Sequence, residues 1–106
     1  MTEREPRRLS FAEILNLDTM DVSTIVPLRN PTVAWRFYKE TLVIGNGYIM
    51  RNEASQKIWL LCSGRRNVRD IARVIAEYYD IDKEKAEKDT GKFIKQLLGT
   101  QLLFFS

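Results

Sequence analysis

The fold is decided by residues 32–50, which read TVAWRFYKETLVIGNGYIM. Apolar and polar residues alternate over positions 32–39, and this two-residue period is typical of a strand with one covered face. A second run, 42–44, is rich in β-branched residues, and a third, 48–50, follows the turn signal Gly45-Asn46-Gly47. The stretch therefore predicts a three-stranded antiparallel meander, which needs a covering layer to be stable.

Three helical patterns after the meander can supply that layer. They cover about residues 53–62, 67–79 and 82–98, with apolar positions at helical spacing. Gly64 follows the first pattern at a position suited to end it, and the tight turn there favours a helix-turn-helix corner. We therefore predict an α+β fold resembling the winged helix-turn-helix: a three-stranded antiparallel sheet followed by three helices.

The segment before the meander has a different character. Ser10 and Glu13 have the spacing of a capping box, which predicts a short helix from Phe11. Pro27 and Pro31 mark a boundary, because the residue before a proline is disfavoured in a helix. We expect residues 1–30 to form an N-terminal arm, with the first nine residues solvated, and residues 31–106 to form the winged-helix domain. The apolar tail 101–105 either seals the core or is left exposed.

Composition excludes most catalytic machinery. The 106 residues include no His and one Cys, Cys62, which rules out catalytic triads, Cys–His pairs, internal disulfides and His-ligated metals. Glycine-rich phosphate-binding motifs are also missing from the sequence. We therefore expect a protein that is not an enzyme and that uses no cofactor and no metal. The sequence has neither a secretory signal nor an apolar run of membrane length, which favours a cytoplasmic location without membrane contact.

A recognisable pattern runs through the three predicted helices. It comprises the sequences NEAS (52–55), LCSG (61–64) and VRDIA (68–72), then Asp89, Phe93 and Leu97, and finally the pair Leu102-Leu103. Across about residues 31–104 this pattern resembles the PqqD-like family. The fold of that family is also called the precursor peptide recognition element of ribosomally synthesised, modified peptides (RiPPs). The family includes the peptide chaperone of pyrroloquinoline quinone (PQQ) biosynthesis.

The resemblance implies a non-catalytic chaperone that binds the leader of a ribosomal precursor peptide. The leader would pair as an added strand with the edge of the third strand and pack against the last helix. The protein would then present the peptide to a modifying enzyme, such as a radical-SAM protein or a peptidase/cyclase. The peptide-binding residues implied in this way are Tyr48, Ile49, Met50 and Arg51 on the strand and Lys85, Asp89, Lys92, Phe93 and Gln96 on the helix.

The basic balance of the chain, with a net charge of +3, raises the question of a further partner. Four arginines, Arg65, Arg66, Arg69 and Arg73, lie near the start of the second helix. Residues 66, 69 and 73 share one helical face. This face is either a solvated surface or a docking site for an acidic partner enzyme or for nucleic acid.

Two other functions fit parts of the sequence. A winged-helix DNA-binding module would read bases with its last helix, but that helix has neither Arg nor Asn, and acidic residues offset its lysines, so nucleic acid is not the expected partner. A structural adaptor would join a larger complex through residues 1–30. The arm also carries spaced apolar residues like those of leader peptides, so a further alternative has it cover the peptide groove. Salt dependence separates DNA binding from strand addition, because phosphate contacts weaken steeply with salt.

Overall fold

The computed structural model describes residues 5–106 and has an α+β architecture. In chain order its elements are α1 (Phe11–Leu15), a short 3-10 helix (Leu17–Thr19), β1 (Pro27–Arg29), β2 (Trp35–Tyr38), β3 (Thr41–Ile44), β4 (Tyr48–Met50), α2 (Glu53–Leu61), α3 (Val68–Tyr79), α4 (Lys83–Gly99) and β5 (Leu103–Phe105). The predicted α+β class is confirmed, with a three-stranded antiparallel sheet ahead of three longer helices. The likeness to a winged helix stays a prediction.

Strands β2, β3 and β4 form the predicted meander in that spatial order. The face that meets the helices is made by alternate residues of the strands: Trp35 and Phe37, Leu42 and Ile44, Tyr48 and Met50. Leu42 and Ile44 are fully buried at the centre of this face. The one covered face predicted for residues 32–39 is therefore the face that carries Trp35 and Phe37.

The two hairpin turns adopt conformations that their residues accommodate. Gly45 and Gly47 have φ angles of 58° and 133°, as the turn signal predicts. The β2–β3 turn is tight, since Tyr38 pairs with Thr41, and it places Lys39 at a φ of 56°. Both connections are short, so the register of the meander is set locally.

Side-chain caps set where the three longer helices begin. The side chains of Asn52, Asn67 and Asp82 each accept a hydrogen bond from the backbone amide three residues further on, at 2.8–3.0 Å. Gly64 lies between α2 and α3 with a φ of 83°, in the left-handed region that glycine tolerates. The predicted boundaries of these helices hold because each depends on residues close in sequence.

The second sheet, in which β1 pairs antiparallel with β5, has no counterpart among the predicted strands. Its register joins Pro27 to Phe105, and local patterns carry no signal for such a distant pairing. The backbone of Arg7 extends the sheet beyond β5 through hydrogen bonds to and from Phe105. Of the two interpretations of the apolar tail, the buried one holds, since Leu103 and Phe105 belong to the core.

The described part of the predicted arm packs on the same core. Leu9 is buried there, so the expectation that the first nine residues are solvated is wrong for this residue; positions 1–4 lie outside the described range. The carbonyls of Ser23 and Ile25 accept hydrogen bonds from the first two backbone amides of α3. Such amides have no partner within their own helix, so the arm completes the start of α3.

Glu13 anchors α1 and gives it a pH dependence. Its carboxylate accepts hydrogen bonds from the Arg7 guanidinium at 2.6 and 2.9 Å and from the Ser10 amide at 2.9 Å, within the predicted capping box. The Arg7 hydrogen bond, followed by that of Ser10, lowers the pKa of Glu13 from 4.5 to about 2. Because the folded-state pKa is lowered, the stabilising contribution is complete above pH 4.5 and is lost as the pH falls towards 2.

A carbon-13 NMR titration of the Glu13 carboxyl checks this prediction. The midpoint is expected near pH 2 in the unaltered protein, and Arg7→Gln should move it towards 4.5. A midpoint near 4.5 before any substitution, or one that Arg7→Gln leaves in place, would contradict the proposed cause.

Gly91 lies in the interior of α4, where a glycine lowers helix stability. A Cβ at this position would lie 3.8 Å from Val22, which is an ordinary contact. Gly91→Ala is therefore expected to raise the free energy of unfolding by about 0.5–1 kcal/mol in urea denaturation. Gly64→Ala is the opposing control and should lower it, because φ is 83° there and a Cβ would lie 3.2 Å from Leu28. A loss at Gly91 or a gain at Gly64 would show that the packing is wrong.

Candidate functional site

Strand β4 has an open edge in the part of the chain that the structure describes. It pairs with β3 on one side, and no strand lies beyond it in the order β2-β3-β4. The Gly45 N–H donates to the Ala34 carbonyl at 2.8 Å, so these two residues form a hydrogen-bonded pair between β2 and β3. Hydrogen-bonded and non-hydrogen-bonded pairs alternate along antiparallel strands. By that alternation Val43 bonds to β2, so Val43 and Ile49 form a non-hydrogen-bonded pair. The backbone N–H and C=O of Ile49 therefore point away from the sheet.

The residues predicted on this edge differ in what they present. Met50 is buried and Tyr48 is half-buried on the face that meets the helices, whereas Ile49 is 46% exposed on the opposite face. Arg51 is exposed, and its backbone makes no hydrogen bond within residues 5–106. The Gln56 amide donates to the Met50 carbonyl at 2.9 Å and so ties the end of β4 to α2. This hydrogen bond fixes the end of β4, and the backbone N–H and C=O of Ile49 stay free to pair with another chain.

The residues predicted on α4 lie on one flank of that helix, at about 100° per residue around its axis. They are Lys85, Asp89, Lys92, Phe93 and Gln96, with Lys92 furthest from the core. Phe93 is half-buried against the core cluster that contains Met50. The three charged members are exposed, and none of them has an ion-pair partner in the described range.

Strand β4 and helix α4 pack on the same hydrophobic core but mainly contact different neighbours. Helix α4 packs mainly on α3 and also on β5 and the 3-10 helix, whereas β4 packs on β3 and α2. Met50 and Phe93 bring the two predicted sets of residues to the same core cluster. The strand and the helix therefore stand apart at the surface rather than packing closely on each other.

The N-terminal segment packs along α4 and reaches the edge of the predicted flank. Val22 and Leu17 approach the helix at Gly91 and Gly99, where a Cβ would lie 3.8 Å and 3.2 Å from their side chains. A cleft of about 780 Å³ lies between this segment and α4, and its lining includes Lys92 and Gln96 of the predicted peptide-binding set. The two glycines in α4 are the sequence signal for this contact, which a search for apolar periodicity misses.

Helix α1 leaves two of its apolar side chains exposed rather than packed over α4. Phe11 and Leu15 are 77% and 70% exposed, and Ile14 packs against the core. Phe11 and Leu15 therefore do not cover the peptide groove, whereas later residues of the arm lie beside Lys92 and Gln96.

The predicted basic face at the start of α3 is partly engaged. Arg69 and Arg73 form ion pairs with Glu87 and Asp70, each at 3.4 Å. The remaining two arginines, at positions 65 and 66, are exposed and have no ion pair among the described residues. Exposed pairs of this length contribute little stability, so all four arginines stay accessible to an acidic surface.

The one thiol of the chain, that of Cys62, is unreactive near neutral pH. Cys62 is buried, and burial raises the pKa of its thiol to about 12, so the reactive thiolate is not formed near neutral pH. Between residues 5 and 106 no group of three His, Cys, Asp or Glu residues could hold a metal ion. No helix in the same range is long and apolar enough to cross a membrane.

Comparison with known families identifies the chain. The family model described as Coenzyme PQQ synthesis protein D (PqqD) matches residues 14–103, which include both β4 and α4 and begin within α1. A comparison with individual curated proteins found no match. The family match confirms the resemblance and extends it into the N-terminal segment. The chain therefore belongs to the PqqD family, a family of non-catalytic accessory proteins in the biosynthesis of PQQ and related ribosomal peptides.

Proposed function

We propose that this protein binds the leader of a ribosomal precursor peptide by strand addition at β4 and presents it to the enzyme that modifies the peptide. The family implies a precursor peptide and biosynthetic enzymes as partners. The observation that carries the proposal is the outward N–H and C=O of Ile49 on an open edge. Open edges of this kind are templates for pairing with another chain.

A leader laid antiparallel beside β4 exchanges two hydrogen bonds with Ile49 and extends the sheet. Because these bonds involve only main-chain groups, they tolerate varied leader sequences. The side chains of the leader alternate between two faces, one shared with Ile49 and the other with Tyr48 and Met50. Those on the second face point to the helix side, and the proposal assigns their apolar contact on α4 to half-buried Phe93.

In this proposal the charged side chains of α4 and of the end of β4 determine which leader peptides bind. Lys85, Lys92 and Arg51 outnumber Asp89, which favours leaders that carry acidic residues next to an apolar anchor. All four side chains are exposed and therefore screened by salt, so they act on specificity and association rate more than on affinity.

The enzyme in this proposal is a radical-SAM protein or a peptidase/cyclase. Its acidic surface would contact the basic face formed by Arg65, Arg66, Arg69 and Arg73. We assign peptide binding to residues 31–106, as a winged-helix domain, and a supporting role to residues 1–30. The proposed location is the cytoplasm, where ribosomal precursor peptides are made.

Titration of nitrogen-15-labelled protein with synthetic leader peptides tests the proposal. The peptides are those of the precursors encoded beside its gene. We expect NMR shift changes at residues 48–51 and along the flank of α4 that contains Phe93. Affinity should change little as salt is raised, whereas a protein making several phosphate contacts loses about 10³-fold or more. Shifts confined to residues 65–73, or no shifts at all, would contradict the assignment of the groove.

A further inference from the structure

Strand β2 forms the second open edge of the sheet, opposite β4. It pairs with β3 alone within the described residues, and all of its residues are exposed. The bond from Gly45 to Ala34 leaves Trp35 and Phe37 in non-hydrogen-bonded pairs with β3. The backbone N–H and C=O of both residues therefore point outward. Edge β2 thus offers twice as many outward backbone groups as the three-residue strand β4.

Large apolar side chains line the helix side of this edge. Trp35 is 37% and Phe37 is 45% exposed, and their rings meet edge to face at 6.5 Å. Trp35 also packs edge to face against buried Trp59 of α2, with ring centroids 6.3 Å apart, and the Arg29 guanidinium lies 5.3 Å from the centroid of the Trp35 ring. Of the devices that protect edge strands, β2 has neither proline nor a bulge but is short and carries one charge, Arg36. The edge is therefore suited to receive a strand with apolar side chains opposite Trp35 and Phe37.

The positive charge of Arg36, at the centre of β2, favours some partner strands over others. Arg36 is exposed on the outer face and has no ion pair among residues 5–106. If two copies paired so that Trp35 and Phe37 bonded to each other, Arg36 would stand opposite the same arginine of the second copy, at the closest side-chain separation of a sheet. Like charges there disfavour self-pairing. A carboxylate opposite Arg36 is favoured instead, and the positive charge of Lys39, which like Arg36 lies by the Tyr38 ring, adds to this preference.

We infer that the β2 edge docks an extended segment of the modifying enzyme, with an acidic side chain opposite Arg36 and apolar side chains opposite Trp35 and Phe37. The inference rests on the proposed function, because the enzyme enters as the partner to which the peptide is presented. The leader on β4 and the enzyme strand on β2 then belong to one continuous sheet. The sheet holds the leader at a fixed separation from the enzyme.

Two synthetic peptides test the preference of the edge directly. One alternates valine and glutamate, and its counterpart alternates valine and lysine. In NMR titrations of the labelled chain, the glutamate peptide should shift the amides of residues 35–38 and the lysine peptide should not. Arg36→Glu should weaken binding of the glutamate peptide by about tenfold or more, and Arg36→Lys should retain it. Because position 36 is exposed, thermal unfolding curves should show that both variants fold like the parent.

The purified modifying enzyme encoded beside the gene is the second probe. Arg36→Glu should weaken its binding by about tenfold and leave leader binding unchanged. Equal responses to both synthetic peptides, no response at β2, or unchanged enzyme binding would overturn the inference. Self-association through β2, seen as concentration-dependent shifts without peptide, would also overturn it by assigning the edge to a second copy. A missing leader response at Ile49 alongside an intact response at β2 would instead count against the proposed function.

Discussion

Replacing Trp59 with alanine is expected to lower the free energy of unfolding by about 3–5 kcal/mol. The Trp59 side chain is fully buried and packs edge to face against Trp35, with ring centroids 6.3 Å apart. Its truncation removes the aromatic contact between α2 and the sheet and leaves a cavity that a close-packed core fills poorly. Because domains of this size are stable by about 5–15 kcal/mol, the variant loses a large part of its stability.

Leu60→Ala is the matched control for this substitution. Leu60 is the next residue in α2 but is 42% exposed, so its truncation should cost less than about 1 kcal/mol. Urea denaturation of both variants measures the difference. Losses of equal size would mean that Trp59 does not join the helix layer to the sheet.

Ile49→Pro is expected to weaken leader binding by about tenfold or more, which corresponds to about 1.4 kcal/mol, without unfolding the protein. The Ile49 N–H points away from β3, so losing this donor breaks no bond within the sheet. The preceding Tyr48 is already in a strand, the conformation that a residue before proline requires. The substitution removes the donor that an added strand would use. Isothermal titration calorimetry with leader peptide gives the two affinities.

Phe37→Pro provides the control for a proline at an open edge. Phe37 likewise has an outward N–H, but on β2, so the variant should bind leader peptide like the parent. Equal losses in the two variants would indicate a general effect of proline on the sheet. Full affinity in Ile49→Pro would remove β4 as the binding edge.

The parts of the fold that follow from local chemistry were predictable from the sequence. The capping side chains of Asn52 and Asn67 and the glycines of the β3–β4 turn act within a few residues of their own position. Alternation in residues 32–39 predicted a strand with one covered face, which Trp35 and Phe37 form, because the strand period is independent of distant partners.

The parts that depend on distant contacts were not predictable. Strand β1 is short and begins with Pro27, and it becomes a strand because Phe105 lies beside it. Leu9 has no periodic neighbours that would mark it as buried, and its burial depends on the core that later residues build. Single-sequence patterns carry no information on such pairings, so the arm was expected to be more solvated than it is.

The candidate site was predictable to a similar degree. Resemblance to the PqqD family pointed to the third strand and the last helix, and alternation along a strand puts Ile49 and Met50 on opposite faces. The structure identifies Met50 as the buried residue and Ile49 as the exposed one. The direction of the Ile49 backbone groups depends on the phase of the bonds between β2 and β3, and a sequence does not reveal that phase.

Amide hydrogen exchange at Ile49, measured by NMR with and without saturating leader peptide, tests strand addition most directly. In the free protein we expect rapid exchange at Ile49 and slow exchange at Val43, whose backbone bonds to β2. Leader peptide should slow exchange at Ile49 by about tenfold or more and change Val43 little. A peptide that binds and leaves the exchange rate of Ile49 unchanged would contradict strand addition at β4.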